Sequence, residues 1–143
     1  MAVRLISNFA QVVSAIEKSL PQQCLRACHA VRNEWVKGLT GTRKGRRYKV
    51  PGTGQKGVRG SGTYYTASAP GESPARRLGD FARSIRVMPR IGAGRVQARV
   101  GSPLEWGIYL EYGTRNMQPR PSLRPALDRA RPEIKSIFSE GLI

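Results

Sequence analysis

Between Leu104 and Leu127 the chain reads LEWGIYLEYGTRNMQPRPSLRPAL, and this stretch restricts the fold more than any other. An aromatic-rich segment (Trp106, Ile108, Tyr109, Leu110, Tyr112) meets Gly113-Thr114, and a run of Pro and Arg then leads into a helix. Ser122 stands where a helix cap stands, Pro125 is tolerated inside a first turn, and apolar residues recur afterwards at helical spacing. The stretch is therefore expected to form a fixed corner between a sheet and a final helix. Gly113, after an aromatic segment and before Thr114, is expected to need a positive φ, which a β-branched residue resists.

The final helix is expected from about Ser122 to Glu140, with Leu123, Ala126, Leu127, Ala130, Ile134, Ile137 and Phe138 on one side and a kink where Pro132 falls inside it. At the other end, Phe9, Val12, Val13, Ile16 and Leu20 follow helical spacing until Pro21 interrupts. Proline suits a first turn, so a second helix is expected from Leu20 or Pro21 to Lys37, its apolar face made of Cys24, Leu25, Cys28, Val31 and Trp35. The two pieces form either a kinked helix or a helical pair.

Glycines recur from Gly38 to Gly71 among Arg43, Lys44, Arg46, Arg47, Lys49, Lys56 and Arg59, and no acid occurs between Glu34 and Glu72. Such a stretch cannot bury enough apolar surface to order itself as a core element. Residues 38–74 are thus expected to be a long loop or hairpin, with extended pieces at Arg47–Val50 and Thr63–Ala67 and a mobile tip between them. A short helix is expected over Ala75–Ala82. Ser84–Met88, ended by Pro89, and Arg95–Val100 alternate apolar with polar residues, as an antiparallel hairpin with one wet, basic face does. The fold class is α+β, a single domain over residues 1–143: N-terminal helices, a small antiparallel β-sheet with a long basic Gly-rich hairpin loop, and a C-terminal helix.

Little in the chain points to catalysis. Cys24 and Cys28 lack the two further Cys or His donors that a tetrahedral zinc site needs, so small buried hydrophobes on a helix face is the reading taken. His29 is the only histidine, and a nucleophile-base-acid set has no convincing second member near it in sequence. The GxGxxG-like spacing at Gly52, Gly54 and Gly57 lacks both the preceding buried strand and the following helix of a phosphate cradle. Glu105 and Glu111 could be paired as acid and base, but salt-bridging to Arg115, Arg120 and Arg124 is favoured in so basic a chain. No catalytic, cofactor-binding or metal-ligating residue is assigned, and the chain is not expected to be an enzyme.

The charge, +16 with a pI near 11.2, concerns partners rather than fold. Nucleic acid, an acidic protein surface and an anionic membrane are all compatible with it. No run approaches the roughly 20 apolar residues that cross a bilayer. The sequence MAVRLISNFAQ lacks a continuous apolar core and a cleavage site, so no secretory signal is expected. Trp106, Tyr109 and Tyr112 share one face if their segment is helical. They are candidates for core and interface anchors or for base-stacking platforms. With Gly113, Arg115, Arg120 and Arg124 at the corner, and Arg43, Arg46 and Arg47 in the basic stretch, they form the candidate interface.

The order Tyr109-Leu110-Glu111-Tyr112-Gly113-Thr114, Met117, Pro119-Arg120-Pro121 and Leu123-Arg124-Pro125-Ala126-Leu127 resembles the tail-completion, or head-tail joining, proteins of long-tailed bacteriophages, the gene-product-ten-like family of lambdoid phages. The loop from Thr66 to Pro74 and the following Leu78-Gly79-Asp80-Phe81-Ala82-Arg83-Ser84-Ile85 look like the same family. Pro132 and the more basic, Gly-rich loop from Gly38 to Gly62 depart from the pattern. The resemblance implies a non-enzymatic virion protein without cofactors, made in the host cytoplasm. It implies a ring, usually of six subunits, at the head-tail junction. The implied partners are the tail tube protein and the stopper of the head connector, with DNA in the channel within reach and no membrane. Two other readings stand beside it, a basic nucleic-acid-binding module and an enzyme using Glu105, Glu111 or His29.

Overall fold

In a computed structural model, residues 9–53, 62–76, 78–92 and 95–140 are described. Helix α1 (Phe9–Leu39) is followed by strands β1 (Arg47–Lys49) and β2 (Tyr64–Thr66), helix α2 (Asp80–Ser84), strands β3 (Arg86–Gly92) and β4 (Arg95–Gly101), and helices α3 (Trp106–Tyr112) and α4 (Leu123–Glu140). The fold is α+β, as the alternating and helical patterns imply. The expected mobile tip, and with it Gly54, Gly57 and Gly60, lies outside the described residues.

The expected helical pair is instead one helix that runs through Pro21. The reason is the register of the inward residues: Val13, Ile16 and Leu20 before the proline and Gln23, Ala27, Ala30 and Val31 after it continue a single three-four spacing. Proline forfeits one backbone bond without displacing that stripe. The buried seam is therefore Gln23, Ala27, Ala30, Val31, Trp35 and Leu39, while Cys24, Leu25 and Cys28 are only half-buried at its side.

Helices α1 and α4 pack antiparallel, since Trp35 meets Ser122, Glu34 meets Arg129 and Arg26 meets Glu140. Alanines make the close approach possible: Ala27 and Ala30 on α1, and Ala126 and Ala130, both fully buried, on α4. Pro132 lies within α4, which continues to Glu140. The main core gathers Trp35, Leu39, Phe81, Ala82, Ile85 and Ala126, with Val36, Val100, Leu104, Leu110 and Leu123 against it. Phe81 stands edge-on to Trp35, centroids 5.8 Å apart, and reaches Trp106 on its other side at 5.1 Å. Deleting such an aromatic from a core costs about 3–5 kcal/mol.

The strands form two separate two-stranded sheets rather than the one small sheet expected. In the first, Arg47 pairs Thr66, Tyr48 pairs Tyr65 and Lys49 pairs Tyr64. In the second, Arg86 pairs Gly101 and the register runs evenly to Gly92 and Arg95. Pro89, expected to end its strand, sits inside β3 opposite Ala98. A strand in a two-stranded ribbon has one edge turned outward, and there a missing N–H forfeits no ladder bond. The short helix begins at Asp80 rather than Ala75, with Gly79 in the left-handed region before it at φ 84°.

Candidate functional site

The corner between α3 and α4 is built around one carboxylate. Glu111 accepts the backbone N–H of Ser122 at 2.7 Å, of Leu123 at 3.1 Å and of Arg124 at 3.1 Å, and the Ser122 hydroxyl at 3.2 Å. These are the orphan donors of the first turn of α4, where the helix dipole also favours a negative charge. The indole N–H of Trp35 donates to the Ser122 oxygen at 2.9 Å, so α1, α3 and α4 meet in one buried chain of bonds. Burial by itself would raise the Glu111 carboxyl, but the N–H groups of Ser122, Leu123 and Arg124 and the Ser122 hydroxyl together hold it below the usual carboxylate range.

Two expectations are corrected here. Glu111 caps a helix instead of pairing with Arg115, Arg120 or Arg124, because a fixed set of N–H donors reaches it at short range while Arg115 and Arg124 point to solvent. Ser122 precedes α4, but its side chain serves Trp35 and Glu111 rather than its own helix.

Gly113 ends α3 at φ 77° and donates its N–H to the Tyr109 carbonyl at 2.9 Å. A Cβ there would come within 2.7 Å of the Met117 carbonyl oxygen and 2.9 Å of the Pro119 nitrogen. Thr114 and Met117 exchange backbone bonds across the turn, and the Arg120 N–H closes it on the Leu110 carbonyl at 2.7 Å. The loop 67–74 is strapped to the same turn, Gly71 N–H to Pro119 O at 3.0 Å and the Ser73 hydroxyl to Pro121 O at 3.2 Å. Glu72 organises that loop: the N–H groups of Ala69 and Lys44 bind its carboxylate and lower its pKa.

The aromatic candidates divide. Trp106 leans on Phe81, whereas Tyr109 and Tyr112 face outward, Tyr112 at 77% exposure, with Ile108 beside them at 63%. Ile108 was not singled out from the sequence, since an isoleucine in an amphipathic segment reads as core. Arg115 and Arg124 are exposed, while Arg120 is half-buried with its Nε enclosed and unbonded among the described residues. Arg120 also borders a cleft of about 460 Å³ whose walls include Leu39, Tyr65, Phe81, Trp106 and Leu110.

The basic candidates are more occupied than expected. Arg43 donates to the Gly38 carbonyl at 2.7 Å and the Pro74 carbonyl at 3.2 Å, pinning the end of α1 to the loop, so its role is structural. Arg46 lies over the Tyr48 ring at 5.8 Å, and Arg47 lies over Tyr64 at 4.7 Å, a cation-π contact that bridges β1 and β2.

The β3–β4 ribbon has the wet, basic face expected of it, although none of its arginines stood among the interface candidates. Its register places Arg86, Arg90, Arg95 and Arg99 on one face with Met88 and Gln97, and Val87, Pro89, Ile91, Val96, Ala98 and Val100 on the other. Val100 packs on the core, whereas Ile91 near the turn is 62% exposed.

His29 is exposed on α1, and among the described residues no three His, Cys, Asp or Glu side chains are grouped to hold a metal. Burial, aided by neighbouring Cys24, pushes the Cys28 thiol up, away from the reactive thiolate. Among the described residues no helix is long and apolar enough to cross a membrane. No protein-family model, curated protein or solved structure matches this chain.

Proposed function

We propose that this chain is a head-tail joining protein of a long-tailed bacteriophage, assembling as a ring, usually of six, that completes the tail and docks on the head connector. The observation that carries the reading is the outer face of α3. Ile108, Tyr109 and Tyr112 are held in solvent on a helix whose last turn and exit are fixed by Gly113 and by the bonds that Glu111 accepts from the first turn of α4. Large apolar side chains on a rigid support mark a surface prepared for another chain, since flexible display would add an ordering penalty on binding.

A ring needs two different patches per subunit, because a head-to-tail contact joins unlike surfaces. The exposed Pro89 and Ile91 on the apolar face of the β3–β4 ribbon supply the second. The two stretches that carry the family resemblance, the loop before Pro74 and the Pro119-Arg120-Pro121 turn, are bonded to each other, so they form one structural unit around the corner. The channel of such a ring lies at the virion's head-tail junction, and the chain would bind no cofactor.

Ile108→Asp with Tyr112→Asp tests the reading. Both positions are exposed, so the stability should stay within about 0.5 kcal/mol of wild type. The oligomer, or the complex with tail tubes, should be lost. A variant that still associates and still joins heads to tails would remove α3 from the interface.

A further inference from the structure

The β3–β4 ribbon presents its arginines in an order the ring does not require. Arg86, Arg99, Arg90 and Arg95 occupy four successive same-face rows and alternate between the strands, opposite Gly101, Met88, Gln97 and Gly92. All four are exposed, and none forms an ion pair among the described residues. No Asp or Glu occurs in the chain between Asp80 and Glu105, so the ribbon contains no acid. Several cations elsewhere are engaged: Arg129 holds Glu34, Arg43 holds two carbonyls, and Arg46 and Arg47 cover tyrosine rings.

We infer that this face binds the phosphate backbone of duplex nucleic acid without regard to sequence. Rows on one face of an antiparallel strand recur every two residues, about 6.8 Å. A nucleic-acid strand in a duplex carries a regular series of phosphates, one per about 3.4 Å of axis, so a row of evenly spaced guanidiniums can reach several of them along a groove. Four rows span about 20 Å, within the reach of a two-stranded ribbon lying along a groove. Guanidinium forks suit phosphate oxygens, and the residues opposite them, Gly101, Met88, Gln97 and Gly92, are all uncharged. An acidic protein surface would match the charge but not the even spacing, and it would ask for an apolar centre, of which Met88 is the only large member on this face. On the opposite face Pro89 and Ile91, near the turn, stay exposed for protein contact, so the inference stands whether or not the ring forms.

Binding of a fluorescent mixed-sequence duplex of about 25 base pairs, followed by anisotropy between about 50 and 300 mM salt, tests this. Four phosphate contacts contribute a slope of about −3.6 to log affinity against log salt. Replacing Arg86, Arg90, Arg95 and Arg99 by Gln should remove that share of the slope. Replacing the exposed Lys18, Arg26, Arg131 and Lys135 by Gln, an equal loss of charge on the helices, should change it by less than about 1. Lysine at the four ribbon positions should restore most of the slope, which separates lost charge from a damaged ribbon. The inference is overturned if the duplex does not bind at about 50 mM salt, or if ribbon and helix variants weaken binding equally. It is also overturned if polyglutamate displaces the duplex as well as unlabelled duplex does, since the face would then belong to an acidic protein.

Discussion

At the corner one carboxylate, Glu111, receives four hydrogen bonds and joins three helices; on the ribbon four guanidiniums stand in solvent with no acid in the same stretch of chain. The two regions are neighbours in sequence, yet one closes its polar groups inward and the other leaves them open. Buried polar groups must be bonded or they destabilise, so the corner is where changes should unfold the protein. Exposed charges contribute little to stability, so the ribbon is where changes should alter binding and leave the fold alone. Stability and recognition are thus separable in this chain by residue.

The comparison can be broken most forcefully at Trp35. Trp35→Ala removes a core ring and leaves Ser122 without its donor, and it should lower stability by about 4 kcal/mol in chemical denaturation. A loss below about 1 kcal/mol would mean that the corner is not anchored to the core. Gly113→Val comes next: a β-branched residue at φ 77°, meeting the Met117 and Pro119 backbone, should cost about 3 kcal/mol and impair assembly. Wild-type melting in that variant would show that the turn has another conformation open to it.

Glu111→Ala should cost about 2 kcal/mol through the uncapped first turn of α4. The same carboxylate sets a pH dependence. Its folded pKa lies below the ordinary 4.5, so the folded state binds the proton more weakly than the unfolded state. Its contribution is full above that ordinary value and is lost as pH falls through the depressed folded one. Urea midpoints between neutral and acid pH should therefore fall less steeply in Glu111→Gln than in wild type. Parallel curves would sink the capping role. The smallest effect on stability belongs to the ribbon, where replacing its four arginines by Gln should leave the midpoint within about 0.5 kcal/mol.

Much of the strand layout was legible because alternation and turn residues are local signals. Arg47–Val50 and Thr63–Ala67 became β1 and β2, and both sides of the second hairpin fell where the apolar residues alternate. Positive φ at Gly113 followed from its neighbours alone. The continuity of α1 was hidden because its seam is carried by a polar Gln23 and by the small Ala27 and Ala30, while Cys24, Leu25 and Cys28 drew attention to a stripe only half-buried. The capping role of Glu111 was hidden for a different reason. Its donors are backbone N–H groups more than ten residues away, and no side-chain pattern announces them. The four-arginine ladder needed the register of the ribbon, which alternation implies only once both strands are aligned.

The central claim is a joining ring whose subunits meet through the outer face of α3. The most direct test is to add the purified protein to tails from a joining-deficient infection, measure its native mass before and after, and count tails attached to heads by electron microscopy. The account predicts that wild type associates with those tails as a closed oligomer and restores joining, while the Ile108→Asp, Tyr112→Asp variant, folded and equally stable, does neither. A protein that stays monomeric beside the tails and joins none of them would contradict it.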